Sequence, residues 1–149
     1  MKVFKFLLLV LAAGSTLFFA NCGGGSEEPT QEEVMRNTLV NNSPWTLSSV
    51  ALPPVNATEE SEWANFTVSF TNTNMTTSNY PVGASAVWPT SAWSFTSDLS
   101  GIIRASDGVT MTINTLNEST LNVTFTIPEG TEIGGRVAAL DGEYTFDME

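Results

Sequence analysis

Four carboxylates in turn-like segments, Asp98, Asp107, Glu118 and Glu129, are the side chains of this 149-residue chain best suited to acid–base chemistry. Two suitably spaced carboxylates are enough for glycoside hydrolysis. Turns, however, attract Asp and Glu on backbone grounds alone. The chain has no His, one Cys at position 22, and Lys only at positions 2 and 5. A His base, a His-ligated metal, a disulfide within one chain and a Lys Schiff base beyond residue 5 are therefore excluded. No nucleophile elbow, phosphate loop or dinucleotide fingerprint occurs, and no Asp-x-Asp-x-Asp-Gly spacing offers a calcium loop. The expectation is a protein that is not an enzyme, with no catalytic residue, no metal site and no cofactor.

Chemistry of another kind is expected at Cys22. Lys2 and Lys5 precede an apolar run from Phe6 to Ala20, which has the order of a secretory signal and is too short to span a bilayer. Phe19-Ala20-Asn21-Cys22 resembles a bacterial lipobox, in which the signal peptide is cut before a cysteine acylated on sulfur. The expected division is a signal peptide at 1–21, a flexible Gly/Ser/Glu tether at 22–29 and a folded domain at 30–149. Several acyl chains on Cys22 would hold firmly where one alone is marginal. Glu27 and Glu28 resemble the surface-export signal of some gram-negative lipoproteins, and read equally as solvated linker. From Cys22 onward three Arg stand against sixteen Asp and Glu, a formal charge of −13 over 128 residues. Such a body offers no basic face to nucleic acid and none to anionic lipid. The expected location is the cell envelope, lipid-anchored to the outer membrane on its periplasmic or surface face.

These sites need elements to hold them. Thr30-Gln-Glu-Glu33 fits a helical capping box, with Val34, Met35, Thr38 and Leu39 on one face and Pro44 as the stop. After Pro44 the apolar residues alternate, which predicts an all-β domain of about seven or eight short strands. Trp45 to Val50 is the first strand, Phe66, Val68 and Phe70 mark the second, and Met75 to Tyr80 returns across Asn72-Thr73-Asn74. Trp93 and Phe95 lie in a further strand after Trp88-Pro89, and Tyr144, Phe146 and Met148 share one face of the last.

The hairpin signal at Asp107-Gly108 is the strongest, because that dipeptide suits a two-residue type I′ turn. Such a loop would set Ile102 opposite Ile113 and Arg104 opposite Met111, leaving Arg104 on the apolar face. A longer turn would expose it. A three-residue loop at Asn117-Glu118-Ser119 would set Thr115 opposite Leu121 and Ile113 opposite Val123. A buried guanidinium needs a partner, and Asp98, Glu132 and Asp141 are candidates by their places near strand ends. Packing of Arg104 over a Trp is the structural reading, and anchoring of a ligand carboxylate the functional one. Trp45, Trp63, Trp88 and Trp93 either fill the core or line a cavity. Trp63, among acidic neighbours, reads as a loop residue clamped over the core. Six Asn-x-Ser/Thr sequons, at Asn41, Asn56, Asn65, Asn74, Asn117 and Asn122, read as solvent-facing positions.

From Trp45 to Met148 the chain resembles the lipocalin-like domains of small gram-negative lipoproteins. The resemblance is carried by Trp45-Thr-Leu-Ser-Ser-Val50, Trp88-Pro-Thr-Ser-Ala-Trp93-Ser-Phe95, Arg104 before Asp107-Gly108, Thr120-Leu-Asn-Val-Thr-Phe125 and Gly142-Glu-Tyr-Thr-Phe146. It implies an up-and-down antiparallel barrel or a flattened sandwich, and a non-catalytic binding role at the envelope, with Trp88, Trp93 and Arg104 as ligand-binding candidates. The ligand so implied is small and apolar, and held in the barrel. A structural or accessory subunit of an outer-membrane or surface protein complex is the alternative.

Overall fold

The computed structural model describes residues 28–54, 58–130, 132–133, 136–137 and 140–149, with 132–133 and 136–137 described by backbone alone. The leader, Cys22 and the tether up to residue 27 lie outside the described residues, as does Asn56.

Helix α1 (Gln31–Asn41) starts at the predicted capping box: the Thr30 hydroxyl accepts from the Glu33 amide at 3.2 Å, and the Glu33 carboxylate accepts from the Thr30 amide at 2.8 Å. Two orphan donors are thereby satisfied. Eleven residues are too few to stay helical alone. Packing supplies the rest, through a fully buried Leu39 whose carbonyl accepts from Trp45 Nε1 at 3.0 Å. Val34, expected on the packed face, is instead 48% exposed.

The strands are β1 (Trp45–Ala51), β2 (Thr67–Phe70), β3 (Asn74–Ser78), β4 (Ser91–Phe95), β5 (Gly101–Arg104), β6 (Thr110–Leu116), β7 (Leu121–Ile127), β8 (Glu132–Ile133), β9 (Arg136–Val137) and β10 (Gly142–Met148). The strands β1 to β7 pair in chain order, and β10 pairs with both β7 and β1 to close an eight-stranded antiparallel barrel. A flattened sandwich does not form. Closure leaves no unpaired sheet edge. β8 and β9 make a separate two-stranded hairpin within the β7–β10 connection.

Two bulges set which residues face inward. In β1 the register shifts between Leu47 and Ser49, and in β6 between Ile113 and Thr115. Each extra residue reverses the parity of the strand beyond it. Val50 therefore joins Trp45 on the inner face, and Leu116 lies opposite Leu121. The predicted pairing of Ile113 with Val123 holds, whereas Thr115 faces Asn122 and not Leu121.

The β5–β6 hairpin departs further from expectation. Its loop has four residues, 105–108, closed by Arg104 N to Val109 O at 3.0 Å and by Gly108 N to Arg104 O at 2.9 Å. Only Gly108 takes a positive φ, 73°, so the two-residue turn with both central residues in that region is not formed. Ile102 faces Met111, two residues from the predicted partner. A shift of two keeps side-chain parity. Arg104 therefore stays inside and fully buried despite the longer turn, which overturns the expectation that a longer turn exposes it.

The strand directions gather α1 and the connections 71–73, 96–100 and 117–120 at one end of the barrel. The connections 52–66, 79–90, 105–109 and 128–141, all but the third longer than any at the first end, lie at the other. We refer to these as the helix end and the loop end.

Candidate binding site at the loop end

The interior near the loop end is a box of aromatic rings. Phe66 precedes β2, Phe125 comes from β7, and Tyr144 and Phe146 come from β10, where period-two alternation turns them inward. Trp63 closes one side from a single 3₁₀ turn (Glu60–Trp63), with Phe66 at 5.4 Å and Phe146 at 5.2 Å, both edge to face. It is fully buried, as the clamp reading expects. Trp88 enters from the connection 79–90, which contributes no strand, and lies 5.5 Å from Phe66, 5.4 Å from Phe125 and 5.3 Å from Phe146. Trp63, Phe66, Trp88, Tyr144 and Phe146 have no accessible surface, so no space for a water remains against them. The box is filled by the protein's own rings, and the fourth side of it is a loop residue.

Arg104 stands at the mouth of this box. Its Nη2 donates to Asp107 Oδ2 at 2.6 Å and its Nε to Asp107 Oδ1 at 3.2 Å, a two-point pairing that matches the guanidinium fork. Nη1 donates to the carbonyl of Val87, and the guanidinium carbon lies 5.2 Å from the Phe125 ring. Burial pushes the guanidinium below its ordinary pKa, and the Asp107 carboxylate opposes that shift through its hydrogen bonds and charge. The partner is therefore Asp107 rather than Asp98 or Asp141, while the Glu132 side chain lies outside the described residues. The stacked ring is Phe125 rather than a Trp. Asp107 also accepts from the Val109 amide at 3.0 Å, so one carboxylate both closes the hairpin loop and neutralises the buried cation. The sequence signal for this pair is a spacing of three residues across the loop, concealed by the turn chemistry of Asp-Gly.

Of the three predicted ligand residues, the structure brings Trp88 and Arg104 to one place and directs Trp93 elsewhere. Trp93 faces Arg104 in backbone register, yet its ring packs against Phe70 and Phe95 at 5.6 and 5.1 Å under the Arg36 guanidinium at 4.6 Å, toward the helix end. Its indole donates to Thr71 O at 3.0 Å. Trp45 and Trp63 are satisfied likewise, by Leu39 O and Thr58 Oγ1, each at 3.0 Å. Trp88 Nε1 is the exception: among the described residues it is the buried side-chain polar atom without a hydrogen-bond partner.

Outside the Trp88 loop lies an open cleft of about 380 Å³, between Ala86 and Pro89 of that loop, Asp107 and Val109 of the hairpin, and Ile127 and Pro128 at the end of β7. Its size is in the range of small-molecule pockets. The Asp107 side chain, 34% exposed, is its charged wall. No group of three or more metal-ligating side chains occurs among the described residues. The chain matches no family model, no curated protein and no solved structure, so the site is read from its own residues.

Proposed function

We propose that this chain is a non-catalytic binding protein of the bacterial cell envelope, anchored through lipid on Cys22, that carries a small apolar molecule at the loop end of its barrel. The observation that carries the reading is Trp88, a loop-borne ring that completes the aromatic box, beside a buried Arg104 and behind an apolar cleft. Small barrels of eight strands either fill themselves with side chains or hold one ligand. Here the side chain that completes the filling belongs to a loop that takes no part in strand pairing. The resemblance to lipocalin-like lipoproteins supports the same role, as does the placing of α1, the first element after the tether, across the helix end.

Native mass spectrometry of the Cys22→Ser chain, secreted by its own host and purified without detergent, tests this. A reproducible extra mass released on unfolding supports carriage and identifies the ligand class. A clean apo mass overturns it. The second reading, an accessory subunit that docks a protein at the same end, draws on Tyr80, 40% exposed, and Val82, fully exposed, at the tip of the Trp88 loop. Crosslinking through Val82 in intact envelopes would yield a specific partner on that reading and none on the first.

A further inference from the structure

Among the four indoles, three are hydrogen-bonded at 3.0 Å and one has no partner among the described residues. A buried donor left unmade raises the free energy of the state that buries it, so native structures seldom keep one without a reason. The orphan is carried by a segment without strand pairing, and the other indole so carried, Trp63, differs from it in being hydrogen-bonded, to Thr58. That segment is held by few bonds. Arg104 Nη1 donates to Val87 O, Thr77 Oγ1 donates to Trp88 O at 2.8 Å, and two short turns close within the loop itself, Ala84 N to Pro81 O and Val87 N to Ala84 O. The turn at its tip depends on Gly83 at φ 86°, beside a fully exposed Val82. By contrast, the walls that carry Phe125, Tyr144 and Phe146 are β7 and β10, paired with each other along seven residues.

We infer that Trp88 is a displaceable internal ligand, and that the box it fills is a binding site for a neutral, planar aromatic molecule bearing a carbonyl oxygen. The inference rests on the carrier reading above. The ligand class follows from what the loop presents to the barrel: a flat ring for Phe66, Phe125 and Phe146, and one residue earlier a carbonyl for Arg104. Withdrawal of the loop would free both places at once. A molecule carrying the same two features would restore them, without having to satisfy the orphan donor. Neutrality follows from charge. Asp107 already balances Arg104, and a chain of net charge −11 gives an added anion no second cation at this site among the described residues. The cleft bounded by Ala86, Pro89 and Pro128 is the route by which such a molecule would reach the box.

The test is ¹⁹F NMR of the full chain, labelled with 5-fluorotryptophan and held in nonionic detergent, with the Trp88 resonance assigned by Trp88→Phe. The probe is 2-acetylnaphthalene, and 2-naphthoate is its anionic counterpart. The ketone is expected to move the Trp88 resonance saturably toward its solvent-exposed position, while Trp45 and Trp93, at the helix end, stay fixed. The carboxylate is expected to bind at least about tenfold more weakly. Thr77→Val removes a bond that holds the loop without touching the box, so it is expected to lower the half-saturating ketone concentration by about fivefold. A merely structural Trp88 would give no such gain. A Trp88 resonance that stays fixed up to the solubility limit of the ketone overturns displacement. So does a Thr77→Val chain that binds no tighter. Naphthoate binding as tightly as the ketone overturns the neutral class. A co-purifying mass together with a fixed Trp88 would sink the displacement and leave carriage standing. A saturable Trp88 shift in a chain that always purifies empty would do the reverse.

Discussion

The two ends of the barrel are closed by different means. At the helix end, α1 lies across the opening, Leu39 is buried under it, and Arg36 covers Trp93 and Phe95 at 4.6 and 5.4 Å while bonding to Asn72 O and Glu32. Every indole there has its acceptor. The connections are short, and Asp98 caps one of them by accepting from Thr96 and Ser100. At the loop end the closure is a salt bridge and a borrowed ring: Arg104 and Asp107 hold the mouth, and Trp88 fills the space behind it with one donor unmet. A helix fixed by backbone bonds and burial makes a permanent floor. A loop held to the barrel by two side-chain bonds and by the burial of Ala84, Val87 and Trp88, with one donor unmet, suits a stopper, and this contrast is the ground for proposing that binding occurs at the second end.

The comparison breaks first at Asp107. Asp107→Ala would leave the Arg104 guanidinium buried and unpaired, with an expected loss of about 3–5 kcal/mol of stability in denaturant unfolding. A loss below about 1 kcal/mol would mean that the pair is not what closes the loop end. At the opposite end, Leu39→Ala is expected to cost about 2–5 kcal/mol, by cavity formation beneath α1. Its effect on the Trp88 ¹⁹F resonance should be nil. A shift there would show that the two ends are coupled and remove the contrast.

A smaller effect is expected at the capping box. Thr30→Ala should lower stability by about 1 kcal/mol, with faster amide exchange confined to the first turn of α1. The smallest is a pH effect at Asp98. Hydrogen bonds from Thr96 and Ser100 hold its carboxyl at about 2, below its ordinary 3.8. The fold thus favours the ionised form, and the stabilisation is present above about pH 4 and lost as pH falls toward 2. Asp98→Asn should flatten that part of the acid-unfolding curve. An unchanged acid limb would show that the cap contributes nothing measurable to the helix end.

How far the fold was legible varies with the distance over which each feature is decided. The capping box is a four-residue feature, and it is present as read. The inward faces of β2, β7 and β10 follow from strict alternation of Val68 with Phe70, of Leu121 through Ile127 and of Tyr144 through Met148. The bulges were legible in principle, since the apolar spacing widens from two to three at Leu47 to Val50 and at Ile113 to Leu116. The hairpin at Asp107 is longer than Asp-Gly alone predicts because Asp has two uses there, as turn former and as ion-pair partner, and only packing selects between them. Trp88 illustrates the same limit. A Trp after an irregular stretch and before a proline has no period to read, so nothing local directs it inward.

The class of the molecule can be read from the order of its residues: all-β with one capped helix, no imidazole, no amine beyond residue 5, and a strongly acidic balance. Composition and short-range pattern suffice for these, because residue type limits chemistry and alternation limits which face a side chain can occupy. The tertiary structure alone decided that the barrel closes, that Arg104 meets Asp107 and Val87, and that Trp88 rather than a strand residue completes the aromatic box. The physical reason is that alternation assigns a side without assigning a neighbour. Register shifts of two residues preserve every face while changing every partner, and only the summed packing of eight closed strands selects among them.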